Sequence, residues 1–520
     1  MLIRTLIAAA FFAPAYFYAL RHNMHMFQLN GYKNGEHLSW IKKNIRRQWI
    51  LIFAILLGIT RLFVKPLALD VFICFTLYII FVVYRALNRM STKKKLVYTP
   101  RVKRMLFTIG ILSVIGTATI WAVFGWESLV GEMLILVGAQ IIFTLLANLI
   151  NHPVEKAINQ YYINDAKKKL QSAKDLTVIG VTGSYGKTSV KFYLQTLLQA
   201  KYDVLVTPES YNTPMGVVKT IRGSLKPSHE IFVCEMGARH VGDIKELCDI
   251  VHPRHGVITS VGPQHLETFF NMENIKNTKF ELADALPAEG LLFLNGDNEF
   301  INEKAAQYKD PVFYCSATKG KGYYATDVSV SRRGTEFTVV TPEGEKETFR
   351  MKLIGEHNVI NVVGAIAVAH RMGITLPELK IPVRKIRPVA HRLEMREHGD
   401  VTIIDDAYNS NPVGSKAAVE TLKMFDGIRI LVTPGMVELG EKEAEYNHKF
   451  GTYAADCCDY ILLIGAKHTK PILEGVLSAG FDEKKCLVYE HLEDAMSYAY
   501  TIRGEGHKYI LLENDLPDNY

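Results

Sequence analysis

Ten residues, Gly180-Val-Thr-Gly-Ser-Tyr-Gly-Lys-Thr-Ser189, carry the groups that phosphate chemistry needs. Glycines at 183 and 186 let the backbone curl so that successive N–H groups aim at one centre, Lys187 adds a mobile cation, and Thr188 offers a hydroxyl to Mg²⁺. An apolar run, Leu176 to Val181, leads in, and an amphipathic one, Val190 to Leu198, leads out. A strand must therefore deliver the turn, and a helix must present its positive N-terminal end to the ligand. ATP is the natural occupant. The spacing departs from G-x-x-x-x-G-K-[ST]: Val181 stands where the first glycine is expected, and Thr182-Gly183 carries the turn. The competing reading, a glycine-rich turn with an incidental lysine, is disfavoured by the strand and helix flanks.

The elements around that loop repeat one rhythm. Short strand-type runs at Thr177–Val181, Ile231–Cys234, Gly256–Thr259, Gly290–Leu294 and Val312–Cys315 alternate with helical periods, which predicts a mostly parallel sheet covered on both faces. Residues 323–353 break the rhythm; Glu336–Val340 and Thr348–Leu353 read as appended antiparallel strands. Lys380–Val389, rich in proline and basic residues, reads as a linker. Strand-like Val401–Ile404, Ile428–Thr433, Tyr460–Ile464 and Tyr509–Leu512 then predict a second, smaller Rossmann-like α/β domain.

The first third of the 520 residues is different in kind. Apolar runs at Leu2–Leu20, Trp49–Val64, Leu67–Tyr84, Met105–Phe124 and Leu129–Ile150 approach the roughly 20 residues a helix needs to cross a bilayer. Basic linkers (Arg21, Lys33, Lys42, Lys43, Arg46 and Arg47; then Arg85, Arg89, Lys93, Lys94, Lys95, Arg101, Lys103 and Arg104) fall on one side. The expectation is an α-helical membrane region of about five spans over 1–150, a multi-pass protein of the cell membrane whose catalytic domains are cytoplasmic. A signal peptide over 2–20 is the alternative. An amphipathic helix over 151–174 connects to a central ATP-binding domain at 175–385 and a C-terminal domain at 390–520. The net charge of +7 is largely accounted for by the basic linkers, so it points to membrane lipid and not to nucleic acid. Seven cysteines without paired spacing indicate neither a disulfide framework nor a zinc ribbon.

Open α/β sheets bind ligands beyond the C-terminal ends of their strands. Glu235 ends one strand, His265 follows the next, and Lys279 lies on the helix after it. Singly, each reads as readily as a cap, a satisfied polar group or a solvated lysine. Their order behind the loop resembles the Mur ligases, enzymes of bacterial cell-wall precursor synthesis, over about residues 175–450. The motifs that carry the resemblance are Thr182–Ser189, Glu235-Met-Gly-Ala238 with Gly242-Asp-Ile244, His265-Leu-Glu-Thr-Phe269, Gly355-Glu-His-Asn-Val-Ile-Asn361, His391-Arg-Leu-Glu394, Asp405-Asp-Ala-Tyr-Asn-Ser-Asn-Pro412, and Met436-Val-Glu-Leu-Gly440 with His448.

The resemblance implies an ATP-dependent acid–amino-acid ligase. A peptide carboxylate is activated as an acyl phosphate and joined to an amino acid, or to a dipeptide such as D-alanyl-D-alanine, with release of ADP and phosphate. It implies nucleotide contacts from Gly183, Ser184, Gly186, Lys187, Thr188 and Ser189, adenine contacts from Asn358 and Asn361, phosphate contact from Arg392 and ribose contact from Asp406. Two Mg²⁺ ions are implied on Thr188, Glu235, His265 and a carbamylated Lys279, with Lys187, His265 and Lys279 as the catalytic set. The partners implied are a small amine and a cell-wall precursor peptide, nucleotide-linked or, given the spans, lipid-linked. Polyglutamate-type ligation and an ATP-binding regulatory membrane protein are the alternatives. Two departures stand out: the usual soluble sugar-nucleotide domain is replaced, and the chain ends Leu511-Leu-Glu-Asn-Asp-Leu-Pro-Asp-Asn-Tyr520 where a K-G-S motif is usual.

Overall fold

A computed structural model describes residues 2–63, 76, 95–125, 128–316, 322–331, 334–408 and 410–515. The chain divides into two units, residues 1–161 and 162–516.

The first unit is helical and corrects the five-span expectation. Among the described residues only Pro100–Phe124 is a single helix long and apolar enough to cross a membrane; a second span appears only if the bent pair Leu129–Gly138 and Gln140–Ser172 counts as one. The run at 2–20 belongs to a helix, Leu2–Leu29, that continues through Arg21, His22, Asn23 and His25. The apolar part of Ile45–Phe63 is only Leu51–Phe63, and the run at 67–84 lies almost wholly outside the described residues. The last run bends by 65° around Ala139. Inside this unit the apolar helices pack on one another around polar groups: Asn23 Nδ2 donates to the Gln140 carbonyl (3.0 Å) and to Thr144 Oγ1 (2.7 Å), and Nε2 of buried His37 meets Asn23 Oδ1 at 2.9 Å. A multi-pass location in the cell membrane is therefore not supported.

The second unit holds two sheets. The larger comprises β1 (Thr177–Thr182), β2 (Val204–Val206), β3 (Ile231–Glu235), β4 (His255–Ile258), β5 (Leu292–Asn295), β6 (Val312–Cys315), β7 (Tyr323–Ser331), β8 (Gly334–Val340) and β9 (Lys346–Met351), in the order β2-β3-β1-β4-β5-β6-β7-β8-β9. Pairing is parallel from β2 through β7 and antiparallel from β7 to β9. Strand alternation sends Ile179, Val181, Val233 and Val257 to the face covered by helices Lys187–Leu198 and Glu356–Arg371. Val178, Phe232, Cys234 and Ile258 go to the other face, against helices Pro214–Ser224, Asp243–Val251 and Met272–Asp284. Both faces are buried, which is why these strands read as continuous apolar runs.

The smaller sheet comprises β10 (Glu394–His398), β11 (Val401–Asp406), β12 (Ile428–Thr433), β13 (Tyr460–Ile464), β14 (Cys486–Tyr489) and β15 (Lys508–Glu513), in the order β10-β11-β15-β12-β13-β14. Only β10 is antiparallel to its neighbour. The segment read as a linker begins inside a helix, Leu376–Lys385, opened by a Thr375/Glu378 capping box that holds despite Pro382. Six of the seven cysteines are described; all six are buried and none of them forms a disulfide.

Candidate active site

β1 lies between β3 and β4, so the chain leaves it toward opposite sides and a crevice opens beyond the carboxyl ends of these three strands. The loop after β1 fills it. Gly183 has φ +151°, and a Cβ there would stand 2.1 Å from Thr259 Oγ1; Gly186 caps the next helix at φ +79°, with the Asn361 amide 2.8 Å from where its Cβ would be. Only glycine fits at either position. The far side of the loop is fixed by the segment after β4: Ser184 N–H donates to the Ser260 carbonyl (2.8 Å), Tyr185 N–H to Ser260 Oγ (2.7 Å), and Tyr185 OH to the Pro263 carbonyl (2.8 Å).

Lys187 begins the helix, and its ammonium rests on the carbonyls of Gly183 (2.5 Å) and Ser184 (3.0 Å). Burial lowers its pKa to about 8, against the pull of Glu235. Thr188 Oγ1 donates to Glu235 Oε1 at 3.1 Å and receives Arg392 Nη2 from the C-terminal domain at 3.4 Å. The Arg392 guanidinium also lies 4.8 Å from the centre of the Tyr408 ring.

Two residues that the sequence reading passed over hold Glu235. Lys191, fully buried one helical turn after Lys187, places Nζ 2.9 Å from Glu235 Oε2. Lys191 also donates to the Glu209 carbonyl, and Asn212 Nδ2 donates to Glu235 Oε1 at 3.0 Å. Burial pushes the Glu235 carboxyl up, but Lys191 and Lys187 outweigh it and hold it below its ordinary range.

Lys279 is 1% exposed and lies 5.9 Å from the centre of the Phe269 ring. It has no hydrogen-bond or ion-pair partner among the described residues. Burial first, and Lys187 second, hold its pKa well below the ordinary lysine value. His265 Nδ1 meets Glu438 Oε2 of the C-terminal domain at 2.5 Å, and Arg239 Nη2 lies 3.3 Å from Glu438 Oε1. Burial lowers the His265 pKa, with Glu438 opposing.

The structure thus gathers Gly183, Ser184, Gly186, Lys187, Thr188, Glu235, Asn361 and Arg392 around the loop. Ser189 and Asn358 instead face the Tyr193 side of the helix: Asn358 Oδ1 accepts from Tyr193 OH (3.0 Å), and its Nδ2 donates to the Ile354 carbonyl (2.8 Å).

Hydroxyl and carboxylate oxygens converge at Thr188 and Glu235, a donor set that suits Mg²⁺. Among the described residues no three His, Cys, Asp or Glu side chains form a metal cluster.

Asp406 ends β11 beside Glu513 of β15, and its Oδ1 accepts the Leu393 N–H at 3.2 Å. Burial, with Glu513 adding repulsion, raises its pKa to about 8. Glu513 is 1% exposed, accepts from Thr433 Oγ1 (2.9 Å) and Ser410 Oγ, and is raised by burial to about 7. An unfolded glutamate ionises near 4.5, whereas the folded one keeps its proton to about 7. Between those values the folded state binds more protons, and stability falls as pH rises. Glu513→Gln should therefore gain stability relative to the wild type, by about 2.5 kcal/mol, as denaturant titrations move from pH 5 to pH 8. A pH-independent difference between the two proteins would place an ionised carboxylate there.

Residues 181–369 match the Mur ligase middle domain, and residues 391–512 match the Mur ligase glutamate ligase domain. The UDP-N-acetylmuramoyl-tripeptide--D-alanyl-D-alanine ligase of Bacillus subtilis (strain 168) is 32% identical over 330 residues, covering 61% of this chain and 70% of that protein. The Escherichia coli (strain K12) protein of the same name is 28% identical over 354 residues, with 66% and 78% covered. Among solved structures, MurF from Acinetobacter baumannii superimposes with a TM-score of 0.63 at 25% identity, over 70% of this chain and 78% of that one. The MurF ligase of Thermotoga maritima, solved with ADP, gives 0.61 at 26% identity, over 69% and 80%. On the crevice geometry and these matches together, the chain belongs to the Mur ligase family.

Proposed function

We propose that this protein is an ATP-dependent amide ligase of peptidoglycan precursor synthesis that joins the carboxylate of a nucleotide-linked muramoyl tripeptide to D-alanyl-D-alanine, as the names of its relatives describe for them. The observation that carries the reading is the meeting of Lys187, Thr188 and Glu235 with Arg392 from the other domain. Cations and metal-binding oxygens stand where charge develops on a transferring phosphoryl group. The lipid-linked acceptor rested on the five spans alone, and it falls with them.

A carboxylate is a poor electrophile and is activated first. Its oxygen attacks the γ-phosphorus, the bond to the bridging oxygen breaks, and ADP leaves an acyl phosphate. The amine then adds to the carbonyl, the tetrahedral intermediate collapses, and phosphate departs from the new amide. Lys187 holds the phosphoryl oxygens, Arg392 brings the C-terminal domain onto them, and that approach excludes water from an intermediate that hydrolyses readily. Mg²⁺, when bound, supplies Lewis-acid neutralisation of the phosphoryl oxygens. Thr188, Glu235 and His265 would hold it, with Asn361 facing the nucleotide and Asp406 its ribose. ADP release that depends on both the tripeptide acceptor and D-alanyl-D-alanine is the expected result; release driven equally by glutamate, or by no amine, would contradict it.

Lys279 enters as a carbamate. A buried amine without a carboxylate partner, its pKa held well below the ordinary lysine value, would add CO₂ with loss of a proton to give an anionic carbamate whose oxygens could hold a second ion. Lys279→Ala should lose about 10²-fold or more in kcat, with partial recovery in millimolar acetate or propionate. A folded variant that no carboxylic acid rescues would remove the carbamate from the account.

A further inference from the structure

The segment Met436-Val-Glu-Leu-Gly440 takes no part in the chemistry above, yet one of its side chains reaches the central domain at a candidate metal ligand. Glu438 Oε2 lies 2.5 Å from His265 Nδ1, and both residues are held in the left-handed region, His265 at φ 52° and Glu438 at φ 65°. Histidine visits this region more readily than most side chains, but for a glutamate such backbone is costly, and it persists where the surroundings over-determine it. Arg239 Nη2, 3.3 Å from Glu438 Oε1, pins the other carboxylate oxygen, and Thr268 Oγ1 donates to the Arg239 carbonyl at 2.6 Å. Gly440 lies against Glu267, close enough that a Cβ there would stand 3.7 Å from the Glu267 backbone nitrogen.

We infer that Glu438 is a positioning residue: on domain closure its carboxylate accepts the Nδ1 proton of His265, fixing the tautomer whose Nε2 would be free to bind a metal. A carboxylate can only accept, so the proton must sit on Nδ1, leaving Nε2 as the donor to a metal. His265 Nε2 has no partner among the described residues. Carboxylates that hold the distal nitrogen of a metal-bound histidine orient the ring and raise its basicity. What is new here is its origin: the carboxylate belongs to the C-terminal domain and the histidine to the central one, so the metal centre is complete only in the closed arrangement. Closure by Arg392 over Thr188 and closure by Glu438 onto His265 then occur together.

The inference rests on His265 as a metal ligand, and the test separates the two claims. Mn²⁺ binding to the full-length protein with ADP is measured by electron paramagnetic resonance for the wild type, His265→Ala, Glu438→Gln and Arg239→Gln. Metal-free ADP affinity is measured alongside to show that each variant is folded. Glu438→Gln should weaken Mn²⁺ about 10- to 100-fold, because an amide can accept from Nδ1 or donate to it and so no longer selects one tautomer. Arg239→Gln, which opens the clasp without touching the histidine, should cost less than about 3-fold. Equal losses in both would make Glu438 a simple latch, and unchanged Mn²⁺ affinity in Glu438→Gln would overturn the positioning role. If His265→Ala itself left Mn²⁺ affinity unchanged, the ligand assignment would fail instead.

Discussion

Lys187→Ala should reduce kcat for amine-dependent ADP release by about 10³-fold or more while leaving the melting temperature unchanged or slightly raised. The first half follows from position: Lys187 is the residue at which the loop meets the helix, and its ammonium is the one cation of the loop itself. Its effect on a charge-spreading transition state is worth far more in a water-excluded crevice than in solution. The second half follows from its pKa. A lysine lowered to about 8 by burial is held in the fold at a cost, and its hydrogen bonds go to two backbone carbonyls of its own loop. Kinetics and a thermal melt on the same sample decide it; a variant that loses stability along with activity would make Lys187 a structural residue.

The buried pair behind the loop should behave in the opposite way. Lys191→Met strands the Glu235 carboxylate, and Glu235→Gln strands the Lys191 ammonium, in a place where neither is exposed. Each change should cost about 3–5 kcal/mol of stability, measured by denaturant titration, whereas the double variant should recover much of the loss. Additive losses would show that the two charges do not depend on one another. Two lysines one turn apart on one helix are thus expected to differ, one dispensable for folding and essential for turnover, the other required to keep the Glu235 carboxylate in place.

The difference between those lysines also shows what a sequence can reveal. The phosphate loop was legible because its chemistry is contiguous: glycines, cation and hydroxyl lie within ten residues of a recognisable strand and helix. Lys191 left a fainter sign, a lysine at i+4 from Lys187 on the apolar face of its helix, but helix lysines are usually solvated and only its zero exposure distinguishes it. Asn212 left none, and Glu438 stood out only as part of the Met436–Gly440 motif with no role attached, since they approach Glu235 and His265 only through folding, from 23 and 173 residues away. The alternating strands of the central domain read correctly because burial on both faces writes itself as apolar runs. β2, three residues long, was too short to stand out.

The N-terminal reading erred for a related reason. Hydropathy registers that a helix is apolar but not whether lipid or another helix covers it. Helices Ile45–Phe63 and Leu129–Gly138 approach so closely that a Cβ at Gly58 would stand 2.7 Å from the Gly131 carbonyl, and one at Gly138 would stand 2.5 Å from that of Leu51. Glu132, 2% exposed, and fully buried Gln140 sit on either side of the bend that splits the last run.

Ligation by this protein requires above all that the acceptor carboxylate become an acyl phosphate at Lys187. Incubating the full-length protein with ATP, D-alanyl-D-alanine and a nucleotide-linked muramoyl tripeptide bearing ¹⁸O in its terminal carboxylate tests this directly, with the released phosphate read by mass spectrometry. One ¹⁸O atom per phosphate, appearing in step with the amide product, is the predicted result. Phosphate free of label would mean that water, and not the peptide, takes the γ-phosphoryl group, and would contradict ligation at this site.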